Sequence, residues 1–201
     1  MSLQFYTPDS KKEIFATGDI HGWHKNLAKG SSSWLDKSGC RDFEDEFVMT
    51  ETLIKNINDT VDENDILLHY GDWSFGGKQN VKKLRDRIKC KTIFTLLGNH
   101  CHHIRQDEEL QKLFVRVMDY NEFSLFGFNF ISCHYPIMSW NYMKHKTLCL
   151  HGHCHHNLKH NIPNLIDVGI DGPTYDFKPV HISTLMKMYT DKREKLDHHT
   201  S

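Results

Sequence analysis

The chain reads as an α/β protein, a two-sheet mixed β-sandwich flanked by helices in four α/β/β/α layers. Three observations support that expectation. Apolar runs rich in β-branched and aromatic residues recur at EIFAT (13–17), DILLHY (65–70) and TIFTLL (92–97), and such runs form buried strands. Stretches with helical spacing separate them, giving the strand–helix–strand order of parallel βαβ units. Residues 123–133 then alternate around Phe126-Gly127-Phe128, the pattern of an antiparallel hairpin. A parallel half followed by an antiparallel half is the expected layout.

Taken in order, the first strand is Glu13 to Thr17. Residues 23–45 are polar, with Ser31-Ser32-Ser33 and Gly39, and read as a loop or insertion over the strand ends. From Phe47 to Ile57 the spacing fits a helix whose buried stripe uses Phe47, Val48, Met49, Leu53, Ile54 and Ile57. Asp65 to Tyr70 is the second strand, Gly71-Asp72 a turn, Gln79 to Ile88 a helix and Thr92 to Leu97 the third strand. After the hairpin come short strands at Leu148 to Leu150, Leu165 to Val168 and Val180 to Ser183. A last helix, Ser183 to Leu196, is expected to fray into the polar tail 197–201. With no internal repeat, low-complexity tract or Pro/Gly-rich linker, one domain over 1–201 is the simplest partition.

Composition narrows the function classes. The chain is 38% hydrophobic and 25% charged with net charge −1, so its balance carries no global pull toward nucleic acid or an anionic membrane. No apolar stretch is long enough to span a bilayer and the N-terminus lacks a signal-peptide pattern. No membrane partner is expected, and a cytoplasmic setting is. Six cysteines without a Cys-x-x-Cys pair speak against a disulfide framework or zinc ribbon. The basic residues Lys82, Lys83, Arg85, Arg87, Lys89 and Lys91 would spread around a helix, which favours a solvated face over a nucleic-acid patch. Sixteen histidines exceed what packing needs, and most lie between His100 and His160.

Five islands hold the residues that carry chemistry: Gly18-Asp19-Ile20-His21-Gly22, Gly71-Asp72-Trp73, Gly98-Asn99-His100, Cys133-His134-Tyr135-Pro136 and His151-Gly152-His153-Cys154-His155. Each follows or belongs to a strand-like run, so the donors should converge on loops at one rim of a sheet. In an extended backbone, Asp19 and His21 would point the same way, as would His153 and His155. Every island also has an ordinary reading. Asp72 suits a cap or turn, Asn99 a turn, and a lone histidine such as His134 a partly buried polar site. Their occurrence together, in order and each at a strand end, favours oxygen and imidazole donors for two adjacent divalent ions such as Mn, Fe, Zn or Ni.

These islands resemble the Asp-x-His, Gly-Asp, Gly-Asn-His, His, Gly-His-x-His pattern of calcineurin-like metallophosphoesterases. His24-Lys25-Asn26, Trp73-Ser74-Phe75-Gly76, Asp167 to Asp171 and Pro179-Val180 resemble a small single-domain subgroup. The resemblance implies a first metal on Asp19, His21 and His155, a second on Asn99, His134 and His153, and Asp72 bridging both. It implies His100, facing the phosphate, as the catalytic residue that protonates or stabilises the leaving oxygen. Asn99 and His100 are expected to contact substrate, and His24 is the best candidate for a further phosphate contact, the alternative being that it packs or caps locally. The implied reaction is hydrolysis of a phosphodiester or phosphomonoester by a metal-bridging hydroxide, the substrate being a small molecule or a nucleic-acid end. One position departs from the pattern: Cys101 stands where an acid usually orients the catalytic histidine. That leaves an alternative, a catalytically weakened metal-binding scaffold or protein-interaction module.

Overall fold

The structure, a computed structural model, describes residues 11–29, 41–145, 147–171 and 174–198, and side chains up to 192. The serine run 31–33, Gly39 and the end of the tail, 199–201, lie outside the described residues. In chain order the elements are β1 (Ile14–Thr17), α1 (Lys25–Ala28), α2 (Glu46–Thr60), β2 (Ile66–His69), α3 (Lys78–Arg87), β3 (Thr92–Leu96), α4 (His102–Arg105) and α5 (Glu108–Gln111). They continue with β4 (Arg116–Met118), β5 (Tyr120–Leu125), β6 (Phe128–Cys133), β7 (Thr147–His151), β8 (Leu165–Asp167), β9 (Val180–His181) and α6 (Ile182–His198). Two mixed sheets result, one ordered β4-β3-β2-β1-β9 and the other β5-β6-β7-β8.

In the first sheet β1, β2, β3 and β4 run parallel, while β9 pairs antiparallel with β1. All four β2 residues are buried, as expected of a parallel strand covered on both faces. The second sheet corrects the expectation of an antiparallel half: only β5–β6 is antiparallel, and β6–β7 and β7–β8 are parallel. The Gly127 turn enforces reversal locally. The long connections 134–146 and 152–164 return the chain to start each new strand alongside its predecessor.

Two cores explain the layers. Ile14, Ala16, Leu68, Phe94 and Leu96 of the first sheet meet Phe123, Phe130, Leu148, Leu150 and Ile166 of the second, with Ile182 and Leu185 of α6. On the other face of the first sheet, Leu67 and Ile93 pack with Leu53, Ile57, Val81, Leu84, Ile104 and Leu110 from the helices. Asp45 caps α2 by accepting the Phe47 and Val48 amides, which fixes where that helix begins. The buried stripe runs through Met49, Leu53, Ile54 and Ile57, whereas Phe47 and Val48 are exposed. Both belong to the first turn, on the side away from the sheet. No described helix is long and apolar enough to cross a membrane.

Leu150 is fully buried between the sheets, one residue before the histidine-rich loop. Leu150→Ala should cost about 2–5 kcal/mol, read as a lower denaturant midpoint with an unchanged slope.

Candidate metal centre

The parallel strands β1, β2 and β3 all end at the same rim, and their following loops continue the ladder as isolated bonds. The amides of Asp19 and His21 donate to the carbonyls of Gly71 and Asp72, at 2.9 Å each. From the second sheet, the Gly152 amide donates to His134 O at 3.0 Å and the His153 amide to both Asp19 oxygens at 3.0 and 2.9 Å. The loops after β1, β2, β3, β6 and β7 therefore meet, as the strand-end pattern predicts.

The backbone there is strained. Asp19, His21, Asp72, His153 and His155 all adopt positive φ, at 54°, 50°, 59°, 69° and 47°, a region that L-residues other than glycine avoid. This corrects the extended geometry expected for Asp19/His21 and for His153/His155. In each pair, left-handed residues aim the side chains. Such outliers clustered in one place mark a site where the surrounding structure holds strain for function. Glycines permit the crowding. A Cβ on Gly98 would overlap the Asp72 carboxylate, and one on Gly152 or Gly169 would lie 2.7 or 2.8 Å from Asp19 Oδ2.

Two groups of donors come together, Asp19 with His21 and His155, and Asp19 with Asp72 and His134, the ligand atoms of each group lying within 4.8 Å of one another. Asp72 Oδ2 lies 3.5 Å from His21 Nε2 and 3.4 Å from His134 Nε2. Those separations exceed a good N–H···O hydrogen bond. They lie at or just beyond the spacing of about 3.0–3.4 Å that two donors adopt on one ion with bonds near 2.1 Å. His134 Nδ1 donates to Tyr70 O at 2.7 Å, so a lone pair offered to a cation would be the one on Nε2, which lies 3.0 Å from Asn99 Oδ1. Asn99 Oδ1 is also 3.0 Å from His153 Nδ1. His21 is 3% exposed, and neither of its ring nitrogens has a hydrogen-bond partner. A buried imidazole without a partner is costly, and the donor set around it fits a divalent cation. All seven residues expected as ligands therefore gather at the rim. His153 and His155 diverge, His153 toward His134 and Asn99 and His155 toward His21.

Charge explains why the arrangement suits cations. Burial is the largest influence on Asp19 and pushes its carboxyl up to about 7, with His155 drawing it down and Asp167 and Asp72 pushing it up. Burial also acts to raise Asp72, but the hydrogen bond and charge of His134 outweigh it and leave it lowered. Burial lowers His21 well below its usual value. Burial likewise depresses His134 and His155, yet both end up raised, through Asp72 and Asp19 for His134 and through Asp171 and Asp19 for His155.

His100 sits half-buried beside the group, its ring 5.3 Å from His21, 6.0 Å from His24 and 5.0 Å from Phe75. Its backbone amide donates to Asp72 Oδ1 at 2.8 Å, and no described residue hydrogen-bonds its imidazole. His24 stacks on Phe75 at 3.8 Å and 4° and has a buried Nδ1 without a partner. Burial lowers it to about 4, so it is neutral near pH 7. Cys101 turns into the core, 2% exposed, and its Sγ accepts the Asp72 amide at 3.2 Å. It underpins Asp72, and burial raises its thiol to about 11. Trp73 is fully buried core.

Two residues with no part in the sequence-derived ligand set stand behind it. Arg41 and Asp171 are both fully buried and paired, Arg41 Nε to Asp171 Oδ1 at 2.8 Å, and Asp171 Oδ2 accepts His155 Nδ1 at 2.9 Å. Arg41 falls in the polar stretch read as a loop, where no local periodicity marks a buried charge.

A two-sheet sandwich whose strand-end loops gather these Asp and His donors defines a metal-dependent phosphoesterase architecture. The chain belongs to the calcineurin-like phosphoesterase family, whose match spans residues 12–197. Membership implies divalent metal ions, and the two Asp/His groups are where they fit. An uncharacterized protein of Methanocaldococcus jannaschii is 28% identical over 187 residues, covering 89% of this chain and 92% of its own. A crystal structure of a protein of unknown function from Aquifex aeolicus superposes with a TM-score of 0.57 at 18% identity, over 88% of this chain and 99% of that one. That superposition supports the fold.

Two outcomes follow from this geometry. Gly98→Ala should displace the Asp72 carboxylate and lower bound metal in elemental analysis, with the far-UV spectrum unchanged. Metal binding should also release protons below about pH 7. Asp19, His134 and His155 are raised and must shed protons to bind a cation, whereas His21 and His153 are lowered and have none to give. Calorimetry in buffers of different ionisation enthalpy should show the release falling as the pH rises past that value.

Proposed function

We propose that the protein is a binuclear metal-dependent hydrolase of phosphodiester or phosphomonoester bonds. The observation that carries this reading is the position of Asp72. Its Oδ2 faces His21 Nε2 at 3.5 Å on one side and His134 Nε2 at 3.4 Å on the other, as a carboxylate shared by two ions would. Asp19, His21 and His155 would hold one ion, and Asn99, His134 and His153 the other. The hard oxygen and imidazole donors suit Mn, Fe, Zn or Ni. Such a pair supplies Lewis acidity toward a phosphoryl oxygen and activates water near neutral pH.

The chain's own residues supply the rest. His100, with an imidazole that no described residue hydrogen-bonds, is placed to donate a proton to the leaving oxygen. His24, held flat on Phe75, offers a neutral imidazole to a phosphate oxygen. Asn99 is exposed at the rim, where its amide can reach both an ion and the substrate. The substrate fits the class of a small-molecule ester or a nucleic-acid end. Free thiols at Cys90, Cys101, Cys133, Cys149 and Cys154 support a reducing, cytoplasmic setting.

One observation favours a weaker general acid. Cys101 contacts Asp72, and no described carboxylate hydrogen-bonds the His100 ring. The rival scaffold reading is settled by assay of the Mn²⁺-loaded protein with p-nitrophenyl phosphate and bis-p-nitrophenyl phosphate. Metal-dependent release of nitrophenol supports hydrolysis. Full metal occupancy without release supports the scaffold.

His100→Asn should keep both metals and lower turnover by about two to four orders of magnitude. The loss should shrink for esters with good leaving groups, a comparison read from kcat across a series of aryl phosphates.

A further inference from the structure

We infer that Arg41 is the positioning residue for the first metal position, because one guanidinium braces both the backbone of the Asp19-Ile20-His21 loop and the Asp171 carboxylate that holds His155. This rests on the reading of Asp19, His21 and His155 as a metal site. A guanidinium has five N–H donors in a rigid fork, and each of those of Arg41 has an acceptor. Nε donates to Asp171 Oδ1 at 2.8 Å. Nη1 donates to Ile20 O at 2.8 Å and to Met49 Sδ at 3.4 Å. Nη2 donates to the Asp19 carbonyl and to Asp171 Oδ2, the latter at 3.4 Å.

These acceptors divide into two routes to the ion. The first is the backbone of the Asp19-Ile20-His21 loop. Both end residues are left-handed, at φ 54° and 50°, and that conformation costs of order 1–3 kcal/mol per residue unless the surroundings enforce it. Hydrogen bonds from Arg41 to two consecutive carbonyls of this loop do so. The second route is Asp171, whose Oδ2 accepts His155 Nδ1–H at 2.9 Å. A proton fixed on Nδ1 places the imidazole lone pair on Nε2, and the carboxylate makes the ring a stronger donor to a cation. Asp171 is 0% exposed and needs a cation of its own, which Arg41 supplies. Lysine carries the charge but lacks the fork, so it cannot reach Asp171 and the loop carbonyls together. Arg41 hydrogen-bonds none of Asn99, His134 and His153, and its one link toward them is the backbone of Asp19, whose carboxylate also lies near Asp72 and His134. Among the described residues, the Asn99, His134 and His153 side chains are tied to one another and to Tyr70 O.

The test is calorimetric titration of the metal-stripped full chain with Mn²⁺, alongside the apo protein's thermal midpoint. Wild type should bind two ions. Arg41→Lys and Asp171→Asn should each weaken one site about 10–100-fold and leave the other within about threefold of its wild-type affinity. Asp171→Asn strands the buried Arg41 charge, so the double variant Arg41→Gln/Asp171→Asn, neutral at both positions, should show the same selective loss. Equal weakening of both sites, or of neither, overturns the inference. If wild type itself binds no Mn²⁺, the phosphoesterase reading fails first. Should the variants not fold, nitrogen NMR of the wild type with Zn²⁺ decides. Retention of the His155 Nδ1–H with a metal-induced shift at Nε2 upholds the inference, and loss of that proton overturns it.

Discussion

Two buried carboxylates govern this molecule. Asp19 and Asp72 are 0% and 2% exposed and lie within a few ångströms of each other at the meeting point of five loops. Like charges stripped of water repel, and protein groups alone offset them only in part: His134 holds Asp72 ionised while Asp19 is driven toward its protonated form. Cations resolve the conflict. The buried histidine without partners, the glycines that let backbone touch the carboxylates and the left-handed loop residues all follow from bringing these donors to one place. A chain selected for stability alone would have no reason to assemble them.

The sandwich supplies the rigidity that this crowding demands. Parallel strands covered on both faces end together, so the loops that follow start from fixed points. The ladder from β1 and β2 continues into those loops through the amides of Asp19 and His21. Arg41 then ties the first loop to Asp171 beyond β8, a contact across 130 residues of sequence. Strain at the ligands is offset by hydrogen bonds that reach them from every side.

The fold and the candidate site were legible in the sequence to different depths, for physical reasons. Strands β1, β2 and β3 are short apolar runs buried on both faces, and helix α2 has a clear stripe, so periodicity found them. The parallel direction of β7 and β8 was missed because strand direction is a property of the connections, and these carry no helical periodicity. The three-residue β4, exposed at its start, has no alternation to detect. Phe47 and Val48 look like core by hydropathy, yet they occupy the outward side of the first turn of α2. The candidate metal donors stood out because Asp, Asn and His recur at strand ends, mostly within a residue or two of glycine. Their geometry did not, since positive φ in Asp and His leaves no mark in composition. Arg41 was invisible for a further reason. A buried arginine is recognised by its acceptors, and four of its five are backbone or distant in sequence. Asp171 was visible only as part of a motif, without its partner.

The donors are divided between the sheets: Asp19, His21, Asp72 and Asn99 come from the first, and His134, His153 and His155 from the second. A filled centre is therefore a clasp that pins one sheet's edge to the other's. The apolar layer beneath it, where Leu68 and Phe94 face Leu148 and Phe130, sets the tilt at which the two halves present their loops. Core residues far from any phosphate thus belong to the mechanics of the centre. Drift in that layer over evolutionary time would retune the spacing between the donors of the two sheets, giving this architecture a means of adjusting its chemistry without altering a residue at the rim.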